Sequence, residues 1–161
     1  MTQDPITAAE AMTEALALAA RNVVDGHGGP FGAVIVCDGL IVARGWNQVT
    51  STNDPTAHAE VVAIRRACAS LGSFSLAGCQ LYTSCEPCPM CLAAAYWARV
   101  DRIWFSATRK QAADAGFSDD DIYDEIPRAL HERRLPIGPL LSEAGQGPFD
   151  AWKAKLDRVE Y

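Results

Sequence analysis

The sequence predicts an α/β fold in three layers: one mixed five-stranded sheet with helices on both faces. Three observations lead there. An apolar hairpin pattern lies near the start of the chain. Strand-like runs then alternate with helix-like stretches. His, Glu and Cys side chains sit where helices begin just after strands or loops. This last feature places a pocket at the C-terminal edge of the strands. Right-handed parallel crossovers are expected between the third, fourth and fifth strands.

In chain order, Asp4-Pro5 supplies a cap and a first-turn proline, and Met12, Leu16, Ala19 and Val23 fall on one face of a helix that ends at Gly26. Val34-Ile35-Val36, a turn at Asp38-Gly39 and Leu40-Ile41-Val42-Ala43 predict two antiparallel strands. Between helix and hairpin, Gly28-Gly29-Pro30-Phe31-Gly32-Ala33 lets the backbone approach a ligand. Phe31 suits either stacking on a planar ring or an ordinary core position. Asn47 carries two donors and an acceptor suited to a base edge, although a loop Asn is more often a turn residue.

A polar loop over 49–55 leads into a helix over 56–71, with His58 and Glu60 in its first turn. Residues 79–84 form a third strand, 89–98 a helix with Cys91 in its first turn, 102–107 a fourth strand, and 110–115 a short helix before Gly116. The stretch 117–126 is acidic, and most of its carboxylates fit a solvated face. Residues 136–141 are expected to form the fifth strand, and Pro148 opens a last helix to about Asp157. There is no internal repeat and no low-complexity linker.

The chemistry concentrates in Thr83-Ser-Cys-Glu-Pro-Cys-Pro-Met-Cys91 and the upstream His58-Ala59-Glu60. Cys88 and Cys91 are one helical turn apart, so both sulfurs can face one ion. With His58 they make three ligands for a single Zn²⁺ per chain and leave a fourth tetrahedral position for water. Glu60 is too close in sequence to His58 to be an obvious ligand. It is better placed to carry a proton from that water to a leaving group.

A redox pair would not explain His58 or Glu60, and a structural zinc knuckle normally brings four ligands and needs no carboxylate. Cys85 is read as a loop residue near the metal. Cys37, Cys68 and Cys79 are read as small buried apolar residues. The two helix N-termini favour thiolate and hydroxide at the ion.

Composition fits a small soluble enzyme. The 161 residues suffice for one domain, with 49% apolar and 21% charged residues. A net charge of −6 disfavours a polyanionic partner such as RNA. The apolar run near Thr13–Arg21 lacks a basic lead and is far too short to span a bilayer, so no membrane association is expected. Three of six cysteines cluster at the metal motif, which points to a reducing cytoplasm and against a disulfide framework.

His-x-Glu followed by Pro-Cys-x-x-Cys is the known signature of the zinc nucleobase deaminases. The likeness extends from about Gly28 to Tyr161 and resembles the bacterial guanine deaminases of the cytidine-deaminase-like superfamily. It is carried by Gly28–Val36, Asn53–Val61, Tyr82–Cys91, Ala112–Phe117 and the closing Glu-Tyr. The resemblance implies a cytidine-deaminase-like fold and hydrolysis of guanine to xanthine and ammonia, with zinc-bound hydroxide attacking C2 and Glu60 as proton carrier.

It also implies base contacts from Phe31, Asn47, the Ala59 N–H, Trp97 and Tyr161, and a second acid at Asp119, favoured over Asp114 and Asp120. A homodimer whose segment 148–161 crosses to the partner's pocket is implied as well. The same scaffold hosts deaminases of cytosine, ammeline-type triazines and tRNA adenosine. A non-catalytic zinc-stabilised binding protein is the alternative of another class.

Overall fold

A computed structural model describes residues 4–160; Tyr161 lies outside them. The first helix, α1 (Ala8–Asp25), is capped by Thr7 in a reciprocal box with Glu10, and the chain leaves it at Gly26. The expected cap at Asp4 is therefore displaced, because only Thr7 has a glutamate three residues on to complete the box. The buried face is also displaced. Ala11, Ala15, Leu18, Ala19 and Asn22 face inward, while Leu16 and Val23 are exposed. A stripe of small residues lets the helix backbone come close to the sheet and leaves the bulkier side chains outside.

Strands β1 (Gly32–Cys37) and β2 (Leu40–Trp46) form the expected hairpin. Asp38 and Gly39 both have positive φ, 50° and 75°, as a tight turn matched to strand twist requires. β3 (Cys79–Cys85) pairs antiparallel with β1, and β4 (Arg102–Ala107) pairs parallel with β3. The sheet has four strands, in the order β2-β1-β3-β4. The predicted fifth strand over 136–141 does not form. Pro136 and Pro139 remove two ladder donors from that stretch, and Leu141 has a positive φ of 50°.

Alternate residues of β1 serve two cores. Ala33 and Ile35 pack with Ala59, Ala63 and Ala67 of α3 (Ala59–Leu71), with α2 (Val49–Thr52) a short turn before it. Val34 and Val36 pack toward α1 with Leu18 and Tyr82. The sheet is thus mixed and covered on both faces. α4 (Pro89–Trp97) connects β3 to β4, and α5 (Arg109–Asp114) follows β4. No described helix is long and apolar enough to cross a membrane.

The β1–β3 register sets Cys37 opposite Cys79 with Cα atoms 4.3 Å apart, and the two are joined as a disulfide. This corrects the expectation of unpaired buried thiols. Directly opposed antiparallel positions bring Cβ atoms within bonding range, a proximity that spacing in the sequence does not reveal.

The chain divides into two compact units after Asp119. The second contains α6 (Asp120–Glu125), short 3₁₀ turns and α7 (Gly147–Ala154). None of its described residues is buried, and Leu140, Leu141, Phe149 and Leu156 are all strongly exposed.

Candidate active site

Two helix starts supply the metal-type donors. His58 is the N-cap of α3 with extended backbone, one step outside the helix where it was expected. Asp54 causes the offset. Its carboxylate accepts from the N–H and hydroxyl of Thr56 and closes a turn that His58 continues by donating its N–H to the Thr56 carbonyl. Cys88 is the N-cap of α4, with Pro89 starting the helix, and its sulfur accepts from the Cys91 N–H at 3.5 Å. The preorganised φ of proline at the first helical position is what brings Cys91 round beneath Cys88.

His58 Nδ1 lies 3.6 Å from both the Cys88 and Cys91 sulfurs. Among the described residues these three form the candidate cation-binding group, with donor atoms within 4.8 Å of one another. One imidazole nitrogen and two sulfurs are the donor chemistry of a catalytic zinc site, and three protein donors leave one position open. Its hydrogen bond from Cys91 and its neighbour His58 hold Cys88 far below the usual thiol range, at about 4, and the same pairing pushes Cys91 up. His58 is raised, chiefly by its hydrogen bond to Cys88.

Cys85 stands apart. It is buried, its thiol is pushed up to about 11 mainly by burial, and it donates to the Thr108 carbonyl.

Glu60 is 6% exposed, in the first turn of α3. Burial raises its pKa, and its carboxyl lies beside the Cys91 sulfur. A buried carboxyl is costly to keep for packing alone. Ala59, fully buried, is the first residue of α3, so its N–H has no intrahelical acceptor.

Asn47 is 6% exposed. Its Oδ1 accepts from the N–H groups of Gly29 and Val49, each at 3.2 Å. A Cβ at Gly28 would run into this amide and the Asn47 carbonyl, so the close approach requires glycine there. Phe31 is half-buried, with its ring edge-on to Phe117 at 5.1 Å.

Asp119 acts electrostatically on both His58 and Cys85, so it shares their neighbourhood. Asp114 instead pairs with Lys110 on the surface. Trp97 closes the opposite end of α4 from Cys91 and is 67% exposed. The sequence argument passed over two residues. Phe117 was read only as part of a family-like stretch. Asn22 lies off the predicted stripe of Met12, Leu16, Ala19 and Val23, and only the observed buried face of α1 includes it.

The family described as the cytidine and deoxycytidylate deaminase zinc-binding region matches residues 6–107. This chain belongs to that family. The deaminase is 51% identical to the guanine deaminase of Bacillus subtilis over 150 residues, 93% of this chain and 96% of the relative. A crystal structure of guanine deaminase from that organism superposes with a TM-score of 0.95 at 49% identity, covering 97% of this chain and 99% of the other. The guanine deaminase of Nitrosomonas europaea superposes at 0.68 with 31% identity, covering 73% and 68%. A tRNA-specific adenosine deaminase of Agrobacterium fabrum is 44% identical, but over only 60% of each chain. Membership identifies zinc as the ion and hydrolytic deamination as the reaction class, and His58, Cys88 and Cys91 are the described group that could hold it.

Proposed function

We propose that this deaminase hydrolyses guanine to xanthine and ammonia. The observation that carries the chemistry is the buried Glu60 carboxyl set beside the His58–Cys88–Cys91 group. The choice of base is supported by likeness to guanine deaminase along nearly the whole of both chains. The tRNA-specific adenosine deaminases are less similar, 44% identical over 97 residues in one case and 35% over 145 in another, and a net charge of −6 is poorly suited to a polyanion.

When bound, zinc supplies the Lewis acidity that makes water nucleophilic near neutral pH. Glu60 accepts one proton of the attacking water and delivers it to N3 as the C2–O bond forms and the C2=N3 π pair moves onto N3. It then takes the remaining proton from the new C2 hydroxyl and passes it to the amino nitrogen as the C2–N bond breaks and the C2 carbonyl forms, releasing ammonia. The Ala59 N–H and the Asn47 NH₂ hold acceptors on the base, and Phe31 packs on its face. Asp119 assists the departing ammonia. Trp97 belongs to the rim of the pocket.

The working unit in this proposal is one deaminase domain over 1–161, acting as a homodimer in which 148–161 covers the partner's pocket. Two features support this. None of the second unit's described residues is buried, and α4 and β4 leave Tyr96, Trp97 and Phe105 exposed. A cytoplasmic location accords with the zinc-ligand thiols and free Cys68.

The deciding experiment measures ammonia release from guanine, cytosine, adenine, ammeline and a tRNA anticodon stem-loop. Turnover of guanine well above the others is expected. Preference for another member replaces the substrate, and release from none leaves a zinc-stabilised binding protein.

A further inference from the structure

Asn22 occupies a position where an apolar residue is expected. It continues the buried stripe of α1 after Ala15, Leu18 and Ala19, and it is 2% exposed. A buried amide is costly unless its hydrogen bonds are met. Its Nδ2 donates to two carbonyl oxygens at 2.8 Å each, those of Gly29 and Asn47. These belong to the two segments that carry Phe31 and Asn47, one before the hairpin and one after it. Its own Oδ1 meets no hydrogen-bond donor among the described residues. The amide therefore contributes to those two loops and to nothing else.

The clamp bears on the orientation of the Asn47 side chain. The Asn47 N–H donates to the Phe31 carbonyl, its C=O accepts from Asn22, and its Oδ1 accepts from the N–H groups of Gly29 and Val49. Rotating the Asn47 amide by a half-turn would set its NH₂ against two N–H donors. Rotating Asn22 would set its oxygen against two carbonyls. The partners thus fix both amides. The Asn47 NH₂ is the one polar group of that residue for which no described residue is an acceptor.

We propose that Asn22 is a positioning residue for substrate selection: by clamping the Gly29 and Asn47 carbonyls it holds the Asn47 side chain as a donor only. Set against position 6 of the purine, such a group pairs with a carbonyl oxygen and leaves an exocyclic amine unmatched. Asn22 therefore selects 6-oxopurines over 6-aminopurines. The inference rests on Asn47 contacting the base, as proposed above.

The test compares guanine with 2,6-diaminopurine, which keeps the 2-amino group and replaces the 6-oxo group by an amine. Asn22→Leu conserves size and deletes both donors. Zinc content is expected to stay normal, KM for guanine to rise about tenfold, and the guanine/diaminopurine ratio of kcat/KM to fall about tenfold, the size of a lost hydrogen bond. Asn22→Ser, which restores one hydroxyl donor, is expected to fall between. Leu18→Ala, a cavity variant on the same helix face, is expected to lower stability and leave KM and the ratio unchanged.

Unchanged KM and ratio in Asn22→Leu overturn the inference, as does an equal fall of the ratio in Leu18→Ala. Should Asn22→Leu fail to fold, the same two quantities in Asn22→Ser decide by the same criterion. Asn47→Ala separates the two proposals. If it alone raises KM and lowers the ratio, Asn47 contacts the base and Asn22 does not position it. If it changes neither, both fail.

Discussion

The Cys85 thiol donates to the carbonyl oxygen of Thr108 at 3.7 Å, tying it to the residue that caps α5. It is a cysteine close to the metal motif in sequence but outside the ligand group. Cys88→Ala is therefore expected to lose zinc and activity together, while Cys85→Ala keeps its zinc. Metal analysis of the two purified variants checks this, and normal zinc in Cys88→Ala would remove it from the ligand set.

Glu60 is buried beside the site without belonging to the ligand group. Glu60→Gln is expected to retain zinc and bind the base while turning over at least about a hundredfold more slowly, the usual scale of a general acid–base contribution. Steady-state kinetics on zinc-loaded protein provide the measurement. A variant within a few fold of the parent would leave the carboxyl without a catalytic role.

Asp119 shares the electrostatic surroundings of His58 and Cys85, whereas Asp120 opens α6. Asp119→Asn is therefore expected to damage guanine turnover far more than Asp120→Asn. Equal and mild effects would return the acidic stretch to a solvated face.

Thr7 and Glu10 form the cap of α1. Thr7→Ala is expected to cost about 1 kcal/mol of stability, and Asp4→Ala less than about 0.5 kcal/mol. The hydrogen bond from the Thr7 side chain lowers the Glu10 pKa. Glu10 therefore binds its proton more readily in the unfolded chain. Its contribution is present above the ordinary carboxylate value and is lost as pH falls through the lowered folded value. The stability gap between the parent and Thr7→Ala should accordingly narrow with acidification, as thermal melts across that range would record.

The second unit leaves Leu140, Leu141, Phe149 and Leu156 exposed, and the proposed tail exchange would cover such side chains. One subunit carrying Glu60→Ala with an intact tail is mixed with another that keeps Glu60 but lacks residues 149–161. Recovery of part of the activity is expected, because one complete site forms across the interface. Native mass spectrometry confirms that mixed dimers are present, and their inactivity would place the tail on its own chain.

The candidate donor group was legible in the sequence because each half of it is local. Cys88 and Cys91 are one turn apart behind a proline, and His58 and Glu60 lie within three residues of each other; the fold brings the two halves together. The hairpin was legible for the same reason, since Asp38-Gly39 is a self-contained turn signal.

Other features depended on distant partners. Which face of α1 turned inward was decided by how closely its backbone could approach β1, and periodicity selected a neighbouring stripe. The Cys37–Cys79 bond needed the β1–β3 register. The fifth strand failed because prolines withheld the hydrogen bonds that an apolar pattern invites. Asn22 was invisible in sequence, because its two acceptors come from separate loops. Bonds within a turn of chain are encoded by adjacent residues, whereas packing distance, register and a clamp between loops exist only once the whole chain has condensed.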